Sequence, residues 1–138
     1  MDTVDWFGLG PGEAYPDTSE AVRVGRFSAA IDEMQTPYVY PQENGSRRQV
    51  REARLVDVTN RGLHVMASPA VALTVRRWTS EDLAAARHTT DLRARDRVFV
   101  TIDASQHGVG SSSCGPGTQP GYRLDARPAA LTLTFRPV

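Results

Sequence analysis

Residues 103–120 read Asp-Ala-Ser-Gln-His-Gly-Val-Gly-Ser-Ser-Ser-Cys-Gly-Pro-Gly-Thr-Gln-Pro, and they bring one of the three histidines, His107, within seven residues of the only cysteine, Cys114. A thiolate with a neighbouring imidazole is the pattern of nucleophilic catalysis. Neither residue has a further base, orienting group or cationic neighbour in the sequence to complete such a site. His64, His88 and His107 show no ligand spacing, and one cysteine cannot build a thiolate cluster or an intrachain disulfide. No metal is assigned. Glu13 and Glu43 are the remaining candidates for carboxylate chemistry. Glu13 lies in a segment rich in Gly, Pro and aromatics, where a carboxylate commonly accepts backbone N–H groups or pairs with Arg. Glu43 and Asn44 could face a ligand or cap the turn beside them.

A loop of this length needs a reason, because connections above roughly 12–15 residues in compact domains are functional or disordered. Functional groups also favour loops carried on a rigid scaffold. The scaffold has to come from the remaining chain, and 138 residues suffice for one domain over 1–138 with a single core. The 16 basic residues, all Arg, balance 16 acidic ones. There is therefore no electrostatic footprint for nucleic acid or an anionic membrane. No apolar stretch approaches the roughly 20 residues of a membrane span and no secretory pattern is visible, so a soluble, cytoplasmic protein is expected.

Several stretches alternate at period two. Val98, Val100 and Ile102 lead into the loop, and Leu131, Leu133 and Phe135 give the cleanest alternation. Val71, Leu73 and Val75 predict a half-buried strand. A strand carrying Val56 and Val58 turns back at 60–62 into Leu63, Val65 and Ala67, as a hairpin. Between Val22 and Ile31 two alternating sets are out of phase, with Gly25 at the change, which predicts a bulge or turn between two strand pieces. Residues 5–17 mix Trp6 and Tyr15 with Gly8, Gly10 and Gly12, and are expected to be an ordered loop. One short helix follows Thr79, whose side chain can cap its start with Asp82 three residues on. Strands outnumber helices by at least six to one, so an antiparallel sandwich is predicted. No repeat of 20–50 residues is present.

Three motifs carry a resemblance: Trp-Phe-Gly-Leu-Gly-Pro-Gly-Glu-Ala-Tyr-Pro-Asp at 6–17, Thr-Pro-Tyr-Val-Tyr-Pro-Gln-Glu-Asn-Gly at 36–45, and residues 103–110. In this order and at these separations they resemble the C-terminal domain of large bacterial β-galactosidases of glycoside hydrolase family 2. The resemblance runs from 6 to 135. It implies an antiparallel β super-sandwich of galactose-mutarotase-like topology, of which this chain is one half. It makes Trp6, Gly8, Gly10, Glu13, Tyr15, Asp17, Glu43, Asn44 and Gly45 structural motif positions. It implies a substrate-facing loop at His107, Gly108, Gly110, Ser113 and Cys114, with Cys114 standing where relatives carry a Trp that stacks on the sugar. A thiol has no π face to offer. The family's two catalytic Glu residues lie in a barrel domain that this chain does not contain, and its magnesium and sodium ligands lie in other domains.

The resemblance therefore predicts a part of a β-galactosidase that is not catalytic alone, with the enzyme's other domains and its β-galactoside substrate as partners. Half of a sandwich would also expose strand edges, so a homo-oligomer is expected. The alternative is a stand-alone carbohydrate-binding or structural module, for which Trp6, Tyr15, Tyr38, Tyr40, Trp78 and Tyr122 supply aromatic faces.

Overall fold

The computed structural model describes residues 1–110 and 115–138. Within them the chain forms six strands: β1 (Thr3–Gly10), β2 (Arg23–Ala30), β3 (Arg47–Val56), β4 (Gly62–Arg76), β5 (Phe99–Asp103) and β6 (Thr132–Pro137). One α-helix, α1 (Ser80–Ala85), follows β4. The strands make one antiparallel sheet in the order β2-β1-β3-β4-β5, and β6 also pairs with β4. The length of β4 explains this arrangement. Its first half, from Leu63 to Ser68, pairs with β6, while its second half, from Ala72 to Arg76, pairs with β5.

Alternation sorts the two faces of the sheet. Phe27, Trp6, Ala53, Val65 and Phe135 are successive cross-strand partners on one face. Val4, Trp6, Leu55, Leu73 and Val75 lie in the buried core cluster, and each fully buried Val or Leu stabilises by roughly 1.5–3 kcal/mol. Around Glu52, where β2, β1, β3 and the first half of β4 pair, the opposite face is charged and solvated. There Glu52 accepts from Arg26 at 3.3 Å and pairs with His64 at 3.1 Å, pairs that contribute roughly 0–1 kcal/mol each at such exposure. The expected all-β antiparallel fold with one short helix is what these residues form: a sheet with one apolar face, the layer from which a sandwich is built.

The capped helix is as read from sequence, and the hairpin forms with an earlier turn: β3 ends at Val56, and Val58, expected in the strand, lies in the connection before Gly62 and is 90% exposed. Thr79 Oγ1 accepts from Asp82 N at 3.1 Å and the Asp82 carboxylate accepts from Thr79 N at 2.9 Å, closing the capping box. Three further expectations are corrected. Residues 5–10 are not a loop but most of β1, because two of the glycines serve close packing rather than turning. A Cβ on Gly8 would lie 2.9 Å from Val50 Cα, and one on Gly10 would lie 2.7 Å from the Phe27 ring. Gly25 interrupts nothing, since β2 pairs residue for residue with β1 and sets Gly25 opposite Gly8. The change of phase arose because Val24 points into solvent. The Val71–Val75 alternation belongs to the same strand as Leu63, and it is buried on both faces, through Ala72, Thr74 and Arg76 as well. The loop carrying Glu43 and Asn44 covers the second face at Arg76.

Candidate functional site

Two of the motif segments are zipped together where β1 ends and β3 begins. Ala14 N donates to Ser46 O at 2.8 Å, and Gly45 N donates to Glu13 Oε2 at 2.7 Å. The other Glu13 oxygen accepts from the Tyr38 phenol. Tyr15 OH donates to Glu43 Oε1 at 2.9 Å and accepts from Ser46 N at 3.3 Å. Gly45 can hold this junction because its φ is +79°, a conformation that favours glycine, and its Cα faces Met34 O closely enough that a Cβ would sit 2.8 Å away. Asn44 closes the turn through its own amide, accepting from Thr36 N at 3.1 Å and donating to Gln42 O at 2.9 Å.

Burial and charge polarise this junction. Tyr15 is pushed well above the ordinary phenol range, first by burial and then by the Glu43 charge. Tyr38 is pushed up to about 12, again by burial first and then by Glu13. Two buried arginines stand behind the carboxylates. Arg47 donates to Gly45 O at 3.0 Å and lies over the Trp6 ring, 5.2 Å from its centroid, with its pKa lowered by burial. Arg76, only 5% exposed, donates through one terminal nitrogen to Glu43 Oε1 at 2.7 Å and to Asn44 O at 3.1 Å. Its Nε and second terminal nitrogen have no hydrogen-bond partner among the described residues.

The third segment is clasped onto this junction by Asp17. Its two carboxylate oxygens accept from Val109 N at 3.0 Å and Gly110 N at 2.7 Å. Gly108 passes so close that a Cβ would meet Asp17 Oδ2 at 2.7 Å, and Gly110 has φ +62°. Gly108 N donates to Tyr122 O at 2.9 Å, and Thr118 Oγ1 donates to Gly108 O at 2.7 Å. His107 Nδ1 accepts from Leu124 N at 2.9 Å, which leaves Nε2 to carry the proton of the neutral ring. Gln106 donates to Asp103 Oδ2 and to Ser46 Oγ, both at 3.0 Å. Between loop and sheet lies a cavity of about 340 Å³, walled in part by Tyr15, Glu43, Arg76, Asp103, Gln106 and His107. Charged side chains of both signs and neutral hydrogen-bonding groups line it.

Glu13, Tyr15, Asp17, Glu43, Asn44 and Gly45 are thus brought together with His107, Gly108 and Gly110. Trp6, Gly8 and Gly10 lie in β1 and serve packing. Ser113 and Cys114 lie outside the described residues. Sequence reasoning missed Arg76, Ser46, Asp103 and Gln106. An arginine at the outward position of an alternating strand signals solvent, and nothing local to Arg76 shows that residues 43 and 44 cover it. Among the described residues no three His, Cys, Asp or Glu side chains group as a metal site, and no helix is long and apolar enough to cross a membrane.

The architecture and the clasped motifs define a class, and sequence comparison agrees: the family model for the β-galactosidase small chain matches residues 1–136. The chain belongs to that family. It is 33% identical to a β-galactosidase of Arthrobacter sp. (strain B7) over 99% of its length, but it spans only 14% of that relative. Against the β-galactosidase of Vibrio cholerae the figures are 36%, 96% and 12%, and against that of Psychromonas ingrahamii 39%, 78% and 10%. The chain therefore corresponds to a small part of much longer proteins.

Proposed function

We propose that this chain serves as the C-terminal part of a β-galactosidase, with the loop at 107–114 forming one wall of the site that receives the leaving group of a β-galactoside. The observation that supports this most directly is the Asp17 clasp. Two amide hydrogen bonds to one carboxylate hold Val109 and Gly110 in place immediately before residues 111–114. A loop used to position substrate needs this kind of fixed root. Hydrolysis with retention requires two carboxyl groups about 5 Å apart across the scissile bond. Both oxygens of Glu13 are held by a phenol and an amide, and Glu43 is held by Tyr15 and Arg76. Because the resembled family carries both catalytic Glu residues in a barrel domain, the chemistry is assigned to the rest of the enzyme, with this chain contributing substrate contact and assembly.

Assembly draws on the exposed outer edge of β6 and on Phe135, which is 54% exposed on the apolar face. Another layer or another copy would cover that face. Assaying the chain alone on a chromogenic galactoside should show no turnover. Turnover at enzyme-like rates would contradict the division of labour.

A further inference from the structure

A second cavity, of about 260 Å³, lies between the middle of the β3–β4 pair and the 121–127 segment, and its charge is of one sign. Arg48, Arg123 and Arg127 line it with no Asp or Glu among the walls, although the chain as a whole has a net charge of zero. Four further cavities each carry at least one carboxylate, among them Glu52, Glu43, Asp82 and Asp32. Among the described residues none of the three arginines forms an ion pair, even though Asp125 stands between two of them in the chain.

Both walls are held by backbone geometry and neutral partners. From Arg47 to Val50 β3 advances three residues while β4 advances two, from Leu73 to Val71, so one residue of β3 bulges out of the ladder. Gln49 takes a φ of +54° there. Arg47 lies buried over the Trp6 ring, whereas Arg48, half-buried, lines the cavity. On the other wall Arg123 donates through Nε to Thr118 O, and Arg127 through one terminal nitrogen to Ser105 Oγ, both at 3.3 Å. Each guanidinium keeps further N–H groups without a partner among the described residues. The segment that carries them is pinned to the 103–110 loop, because Tyr122 O accepts from Gly108 N and Leu124 N donates to His107 Nδ1, both at 2.9 Å.

Like charges gathered around one cavity repel one another, and an anion between them relieves the repulsion. Guanidinium forks match the oxygens of phosphate and carboxylate alike. Charge separates the two, since a phosphate monoester carries about −1.5 to −2 at neutral pH and a carboxylate carries less. Ser105 and Tyr122 add hydroxyl groups to the walls. We propose that this cavity binds a phosphate group, held between Arg48 on β3 and the pair Arg123 and Arg127 that follows the loop.

The test titrates the ¹⁵N-labelled chain with sodium phosphate, glucose 6-phosphate, sodium acetate and glucose, with ionic strength held constant by sodium chloride. The expected result is a saturable movement of the Gln49, Tyr122 and Arg123 amide resonances with the phosphates and none with glucose. Tighter binding of the ester assigns the site to a phosphorylated small molecule, and equal or weaker binding assigns it to free phosphate. Arg48→Gln and Arg127→Gln, on separate segments, should each weaken phosphate binding about five- to tenfold. Arg51→Gln, exposed on the same strand as Arg48 but outside the cavity, should change it less than about twofold. No saturable movement with either phosphate up to about 0.1 M, where the screening length is about 10 Å, would overturn the proposal. So would acetate binding as tightly as phosphate, which would give the cavity to a carboxylate such as an acidic side chain of a protein partner. Phosphate binding unchanged in both folded cavity variants, or lost equally in Arg51→Gln, would do the same, since it would mean a diffuse field in place of a site.

Discussion

Asp17 and Gly110 are 93 residues apart in the chain and 2.7 Å apart across a hydrogen bond from the Gly110 amide to the Asp17 carboxylate. With the companion bond from Val109 N, this ties the first motif segment to the root of the third. Removing the carboxylate in Asp17→Ala frees both amides at once. The expected cost is about 2–3 kcal/mol, from two bonds to a charged acceptor that is only partly buried. Urea denaturation measures it, and hydrogen exchange at the Val109 and Gly110 amides should accelerate while exchange in β1 does not. Equal protection of those two amides in the variant would show that the clasp is dispensable.

The pair of Arg76 and Glu43 makes a different prediction, because one partner is buried and the other is not. Glu43 is 45% exposed at its side chain, against 6% for Arg76. Glu43→Ala leaves the guanidinium with Asn44 O alone, and should destabilise by about 2 kcal/mol, less than a fully buried pair would. Adding Arg76→Met should restore part of that loss, since an apolar side chain of similar length no longer needs a partner. A double-mutant cycle in urea reads the difference, and strictly additive costs would mean that the two groups are uncoupled.

Alkaline titration probes the two phenols. A neutral Tyr38 donates to Glu13, and its folded pKa of about 12 lies above the ordinary phenol value of about 10. The contribution of this phenol is complete below pH about 10 and is lost as pH rises through about 12. Tyr15 acts in the same direction, through burial and Glu43. Stability measured by denaturation should fall over this window, and Tyr38→Phe should make the fall shallower. An identical slope in the variant would remove Tyr38 from the linkage.

The parts of the fold legible in the sequence are those fixed by local rules. The β3–β4 hairpin, though not the exact place of its turn, the alternation of Leu131, Leu133 and Phe135, and the Thr79–Asp82 capping box each follow from residues within a few positions of one another. Gly8 and Gly10 misled because their role is set by Val50 on β3 and Phe27 on β2, neither of which a reading of residues 5–17 can see. Arg76 was hidden for the same reason, since its burial comes from a segment more than 30 residues earlier. Of the site, the family motifs were visible as strings of residues. What they do to one another was not: Asp17 carried no local sign that it holds the loop at 107–110.

If the loop at 107–114 faces the leaving group of the sugar, as proposed above, Cys114 takes the position that the family resemblance gives to a stacking Trp. In the β-galactosidase assembled with this chain, Cys114→Trp should shift the ratio of kcat/KM for lactose to kcat/KM for a nitrophenyl galactoside. The expected shift is about 2- to 10-fold, the equivalent of about 0.5–1.5 kcal/mol of aromatic contact. Both substrates present the same galactose, so a loop remote from the leaving group would leave that ratio unchanged, and an unchanged ratio in a folded, active variant contradicts the account.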